Sequence, residues 1–144
     1  MKLSVFLVCR YKDKVLLLKR SKLSNNPGQW NFPGGTVERK DTAKSTILKE
    51  LREEANIKLK LKDVHFLEQF SLRNKIVVFF MTTFDEKPKV QLNQESSRFK
   101  WVRFGNLPRN LHLPTRMLVE FKKPAAMYER ASLSNTIQTL ISNI

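Results

Sequence analysis

The stretch that most narrows what this chain can become runs from Gly35 to Ile57, where a glycine turn feeds a segment with glutamates at positions 50, 53 and 54. From Ala43 to Ala55 there is no Gly or Pro, Asp41 or Thr42 can cap the start, and Asn56 can end it in a left-handed conformation. A helix over these residues advances about 100° per residue, so Glu50, Glu53 and Glu54 fall within an arc of about 100° while Ile47, Leu48, Leu51 and Ala55 gather on an adjacent stripe. One stripe can enter a core and the other can face a cleft. Three carboxylates so close repel one another unless a cation lies between them, and a hard divalent ion is the natural guest. A solvated acidic face balanced by Lys49 and Arg52 is the competing arrangement, and the glutamates alone leave it open.

Around this helix the pattern is mostly that of strands. Residues 3–10 and 14–20 are apolar runs joined by the polar break Tyr11-Lys12-Asp13, as in a hairpin. Residues 21–29 read as a loop, and Trp30-Asn-Phe-Pro-Gly-Gly35 adds an aromatic anchor and a sharply turned backbone. Ile57-Lys-Leu-Lys-Leu-Lys62 alternates as a half-buried strand with lysines on the wet face, an edge protected by charge. Residues 64–70, 76–84 and 98–104 complete the strand set, the middle one apolar enough to be central. Thr115 to Lys123 and Ser134 to Ile144 have helical spacing. The expected fold class is α/β (α+β), a mixed sheet with helices packed on its faces, in one domain spanning residues 1–144.

Composition bounds the partners. With 27 Lys+Arg against 13 Asp+Glu the formal charge is +14, spread along the chain, so nucleotides, RNA and DNA are all attracted and none is selected. Cys9 is the only cysteine, which excludes an internal disulfide and a cysteine zinc cluster and fits a cytoplasmic, reducing location; it falls in the first strand and is expected in the core. No apolar run approaches the roughly 20 residues that span a bilayer, so no membrane partner is expected. A Pro-Gly-Gly turn leading into clustered glutamates points to metal-assisted chemistry on a phosphate ester or anhydride.

The whole pattern resembles the Nudix box: Gly, five residues, Glu, seven residues, Arg-Glu, an aliphatic, any residue, Glu-Glu, any residue, Gly, an aliphatic. Gly35, Glu50, Leu51, Glu53, Glu54 and Ile57 match it, and Trp30-Asn-Phe-Pro-Gly34 before it is what many MutT-like members carry. Asp41 in place of Glu, Lys49 in place of Arg and Asn56 in place of Gly depart from it. Lys49 keeps the charge but lacks the planar guanidinium that members use to hold the glutamate network, which places efficiency in question more than chemistry. The resemblance implies an α/β/α sandwich over the whole chain, with Glu53 and Glu54 as principal metal ligands, Glu50 as ligand or base, and the Gly34 carbonyl as a further ligand. Glu95, six residues before Trp101, matches a loop glutamate that binds metal in MutT-like members. Mg²⁺ is the expected ion, with Mn²⁺ as the alternative.

For the substrate, the resemblance implies contacts from Arg20, with Lys19 beside it at the end of the second strand, and from Gly35. The late asparagine with which MutT-like members read an oxidised guanine has no secure counterpart: Arg116 falls near that position, with Asn106 and Asn110 upstream. Trp30, Phe32 and Trp101 are expected to pack around the box rather than to stack on a base. His65 and His112 stand without a partner motif and receive no role. The implied activity is hydrolysis of a nucleoside triphosphate, or a related nucleoside diphosphate derivative, to the monophosphate and pyrophosphate. Removal of pyrophosphate from RNA 5′ ends is the alternative within the same chemistry, and a non-catalytic nucleotide or RNA-binding module is the alternative from another class.

Overall fold

The computed structural model describes residues 1–121. Its elements are β1 (Lys2–Tyr11), β2 (Lys14–Arg20), β3 (Trp30–Asn31), β4 (Gly34–Thr36), α1 (Ala43–Ala55), β5 (His65–Leu72), β6 (Lys75–Phe84), β7 (Ser96–Val102) and α2 (Leu113–Phe121). They form one mixed sheet with the path β3-β2-β1-β6-β5, β4 pairing with β1 and β7 with β2. Among the described residues only the β1–β6 ladder is parallel, and it runs the full length of both strands from Lys2↔Lys75 to Tyr11↔Phe84. β1 meets β2 only beside their hairpin, at Arg10↔Val15 and Tyr11↔Lys14, and the other half of that edge is taken by β4 at Ser4–Phe6. The sheet therefore forks, and the fork is where a cleft opens.

Alternation along β1 builds a core on each face. Val5, Leu7 and Cys9 join Ile47, Leu51 and Ala55 of α1, whereas Phe6 and Val8 join Phe32, Phe79 and Leu118, the last from α2. Phe6 stacks on Phe79 at 5.7 Å between ring centroids, and Phe32 and Phe70 meet the same ring edge-on. Residue 32 and helix α2 are locked together by the Phe32 N–H, which donates to the fully buried Thr115 hydroxyl at 3.1 Å. Helices on both faces of a mixed sheet are the architecture expected from the sequence.

α1 begins and ends as its residues dictate. Thr42 caps it, its hydroxyl accepting from the Ser45 N–H while the Ser45 hydroxyl accepts from the Thr42 N–H, each at 3.0 Å. Asn56 closes it at φ 56°, ψ 36°, and its N–H donates to the Arg52 carbonyl at 3.0 Å. Residues 57–62 correct an expectation. They are not a strand: residues 57–60 run without strand pairing into a 3-10 turn at Leu61–Asp63. The alternation is real in burial, since Ile57 is buried and Leu59 half-buried between exposed lysines, but it ends at Leu61, which is exposed. Pairing requires a neighbouring strand as well as a face, and the sequence period encodes only the face.

The short strands β3 and β4 fall where a turn was expected, α2 starts two residues before Thr115, and the strand expected at 98–104 lies at Ser96–Val102. The helix expected over Ser134 to Ile144, and the end of the one expected at Thr115 to Lys123, lie outside the described residues. Among the described residues no helix is long and apolar enough to cross a membrane.

Candidate metal and substrate site

At the fork of the sheet lies a cleft of about 560 Å³, lined by Ser4 and Phe6 of β1, Arg20, Asn31, Gly34–Thr36, Glu50 and Glu54 of α1, Lys75, Glu95, Ser96 and His112, with residues 23–26 at its rim. Carboxylate oxygens of Glu50, Glu54 and Glu95 lie within 4.8 Å of one another. The sequence spacing brings the first two together, and the chain's return at the start of β7 supplies the third. Glu53 does not join them. Helix geometry gives the reason: measured around α1 from the buried Leu51, Glu54 is about 60° away, Glu50 about 100° and Glu53 about 160°. Glu54 is thus carried to the sheet and buried, Glu50 is half-buried, and Glu53 is exposed in a neighbouring depression with Lys49 and Arg52. Its charge nevertheless reaches Glu50.

The electrostatics are those of an anionic site in want of a cation. Burial raises the Glu54 carboxyl well above the ordinary glutamate range, and its hydrogen bond to Glu50 and the charges of Glu50 and Glu95 push it further. Burial also raises Glu50, and the charges of Glu53 and Glu95 add to that, while the hydrogen bond from Glu54 and the nearby Lys49 charge oppose it. Both carboxyls are thus disposed toward their neutral forms, the more buried Glu54 most of all, unless a cation compensates them. Among the described residues no lysine or arginine forms an ion pair with these three carboxylates. A divalent cation fits this donor set, because it supplies the missing charge to oxygens already converged.

The two glycines bring backbone against the trio. In the β1–β4 ladder the Leu7 N–H donates to Pro33 O and the Val37 N–H to Leu3 O, each at 2.8 Å. By alternation Gly34 turns its amide and carbonyl away from β1, and a Gly34 backbone hydrogen bond to Glu54 steadies the ionised carboxyl. A methyl group on Gly35 would lie 2.8 Å from Glu50 Cδ and 2.9 Å from its Oε1, and one on Gly34 would lie 2.0 Å from the Val5 carbonyl oxygen. Both positions need glycine because of close approach, one to a side chain and the other to main chain.

Of the residues expected at the substrate, Arg20 faces the cleft. Its Nε donates to the Asn25 carbonyl; with the Asn31 amide turned to the orientation that satisfies both its ends, Nη1 donates at 3.3 Å to the Asn31 oxygen and the Asn31 nitrogen donates to the Leu18 carbonyl. Lys19 is absent from the cleft lining and has its Nζ 6.0 Å from the centre of the Trp30 ring, which the Lys100 Nζ also approaches, at 5.3 Å. Trp30 and Phe32 are buried, and Trp101 packs edge-on against Tyr11, so all three pack as expected. Asp41 is half-buried and outside the cleft, its N–H donating to the Glu38 carbonyl at 3.0 Å, and Lys49 is exposed. Arg116, Asn106 and Asn110 are also absent from the lining; the Asn110 side chain donates to Gly28 O at 3.2 Å.

His112, given no role by the sequence, lies in the cleft wall. Its main chain is fastened to Trp30, and its ring lies 6.4 Å from that of Phe6. Burial, with Arg20 and Lys75 nearby, lowers its pKa to about 4, so the imidazole is neutral at physiological pH. A lone histidine in sequence carries no such signal, because its place depends on the bridge between Trp30 and Leu111. Cys9 is fully buried and its thiol is held protonated by burial and by the Glu54 charge, as suits a core residue.

Known proteins resemble this chain in sequence and in fold. The model of the NUDIX domain matches residues 1–120. An 8-oxo-dGTP diphosphatase from Proteus vulgaris is 36% identical over 50 residues, a match that covers 35% of this chain and 45% of that protein. Among solved structures, a MutT NUDIX hydrolase from Burkholderia pseudomallei superposes with a TM-score of 0.69 at 21% identity, covering 83% of this chain and 95% of that one. A MutT protein from Methanosarcina mazei Go1 superposes with a TM-score of 0.66 at 26% identity, covering 90% and 93%.

Proposed function

The chain belongs to the Nudix family, and on that premise we propose that it is a divalent-metal-dependent pyrophosphohydrolase. Its substrate is a nucleoside triphosphate or a related nucleoside diphosphate derivative, and water splits a triphosphate into nucleoside monophosphate and pyrophosphate. The observation that carries this reading is the convergence of Glu50, Glu54 and Glu95 in a cleft that Arg20, Lys75 and the uncharged His112 also line. Converged acids and cations in one cleft would suit a polyphosphate held together with a divalent ion.

Glu50, Glu54, Glu95 and the Gly34 carbonyl would hold the ion, and Mg²⁺ is the ion we assign, with Mn²⁺ able to replace it. When bound, it neutralises phosphate oxygens and makes water a better nucleophile at neutral pH. The chain's own residues do the rest. Glu50, less buried than Glu54 and in contact with the cleft, is positioned to accept a proton from the attacking water. Arg20, held on two sides by Asn25 and Asn31, presents a fixed cation to the substrate's negative charge. Gly35 lets the substrate approach the backbone where any side chain would collide with Glu50. Glu53, exposed one turn away, acts on the site through its charge on Glu50.

The +14 charge favours a second reading, the same cleavage at a triphosphorylated RNA 5′ end. A substrate panel with Mg²⁺ separates the two: pyrophosphate release from free nucleotides supports the first, and preferential release from RNA that weakens steeply with salt supports the second. Absence of phosphate and pyrophosphate release across the panel, with Mg²⁺ or Mn²⁺, would refute both and leave a binding module.

A further inference from the structure

We propose that Ser21 and Ser24 are positioning residues for Glu95, forming a clasp that holds the third carboxylate against Glu50 and Glu54; this rests on the metal-binding reading of the trio. Glu95 comes from the stretch before β7, not from a helix, and the sheet does not fix it. The β2–β7 ladder is regular from Val15↔Val102 to Lys19↔Arg98, then slips so that Arg20 faces Ser96. Beyond that bulge the regular ladder no longer sets where residue 95 points.

The loop after β2 takes over. The Ser21 hydroxyl donates to the Gln94 carbonyl at 2.7 Å, the Ser24 hydroxyl donates to the Glu95 carbonyl at 2.8 Å, and the Ser21 N–H donates to that same carbonyl at 2.9 Å. Ser21 and Ser24 are half-buried while Lys22, Leu23 and Asn25 between and beside them are exposed, so these two side chains turn inward from a loop that otherwise faces water. The loop is itself closed at its base, Gly28 N–H donating to Arg20 O and Arg20 N–H to Gln29 O, each at 2.8 Å. It therefore offers a fixed frame. Arg20 also donates to the Asn25 carbonyl, so one loop carries both a cleft cation and the brace of a cleft carboxylate.

The test is calorimetric titration of Mn²⁺ into the metal-free protein, with thermal unfolding alongside. Glu95→Gln should weaken Mn²⁺ binding about tenfold. Ser21→Ala/Ser24→Ala should weaken it about fivefold, the ratio carried by one net hydrogen bond, with a melting temperature within a few degrees of wild type. Ser21→Thr/Ser24→Thr, which keeps both hydroxyls, should return affinity to within about twofold. In the Glu95→Gln background the serine substitutions should add nothing, because the group they position has already lost its charge. Unchanged Mn²⁺ affinity in the double serine variant beside a weakened Glu95→Gln overturns the clasp and leaves the metal reading standing. Unchanged affinity in Glu95→Gln overturns the metal role of Glu95 and the clasp with it. If the double variant melts early, Ser24→Ala alone, which leaves both Ser21 bonds in place, decides by the same criterion.

Discussion

Gly35→Ala should injure the proposed metal site while sparing the fold, and the size of each effect follows from contact distances. The added Cβ would lie 2.8 Å from Glu50 Cδ and 3.2 Å from its Cγ. Carbon atoms rest at about 3.5–4.0 Å, so the shortfall is at least about 0.7 Å. The obstructing atoms end a rotatable, half-buried side chain, so Glu50 swings aside rather than α1 lifting from the sheet. We expect about 1 kcal/mol of lost stability, at the low end for overpacking, and a fall of a few degrees in melting temperature. Mn²⁺ affinity should drop about tenfold or more, ~1.4 kcal/mol, because a carboxylate has been turned out of a set of three. Gly34→Ala makes the contrast: its Cβ would stand 2.0 Å from the Val5 carbonyl oxygen, which cannot rotate away, so β4 must leave β1 at a cost of ~3 kcal/mol or more. A double-mutant cycle isolates the cause. Glu50→Ala removes the atoms that collide, so adding Gly35→Ala to it should change Mn²⁺ affinity by less than about twofold. Full wild-type affinity in Gly35→Ala, or an undiminished further loss in the Glu50→Ala background, would refute the reasoning.

Other expectations follow from the same geometry. Glu54→Gln should fold and lose Mn²⁺ binding, whereas Glu53→Gln, altering an exposed group outside the trio, should weaken binding less; equal losses by calorimetry would contradict the division between them. Because Glu50 and Glu54 are raised relative to the unfolded chain, their neutral forms favour folding, and metal-free protein should lose stability as pH rises from about 4.5 upward through the raised values. Thermal scans across pH check this, and saturating Mg²⁺ should remove the slope or reverse it. Asn56→Ala should destabilise by about 1 kcal/mol through the left-handed residue, and also loses the side-chain bond to Gln91 at 3.1 Å, while Asn56→Gly should cost less in urea unfolding.

What the sequence made legible was whatever depends on local period and local chemistry. Helix α1 was legible to within a residue, because its apolar stripe, its cap candidates Asp41 and Thr42 and its Asn56 terminus all lie within the segment itself; Thr42 is the cap, completed by Ser45, which the sequence did not single out. The long strands were legible for the same reason. β3 and β4 were not, since two or three residues around Pro33 carry no period, and residues 57–62 misled because alternation reports burial without reporting a partner. Within the site, spacing alone put three glutamates on one arc, yet the direction of the core decides which of them turn inward, and Glu53 faces out. Glu95 came from resemblance rather than from its own surroundings, where a loop glutamate before a bulge looks like any surface charge. His112 gave no signal because its position is set by contacts from Trp30 and Phe6, far off in the chain.

The double life of β1 has one more consequence. Its odd residues tie the acid-bearing helix to one hydrophobic layer, and its even residues tie the opposite bank, with Phe32 and the second helix, to another. A cavity opened in the latter layer, at Leu118 for instance, loosens the bank that carries Phe32, whereas one opened at Leu51 loosens the helix that carries Glu50 and Glu54. One central strand thus joins two separately packed cores, and a truncation in either weakens that bank first.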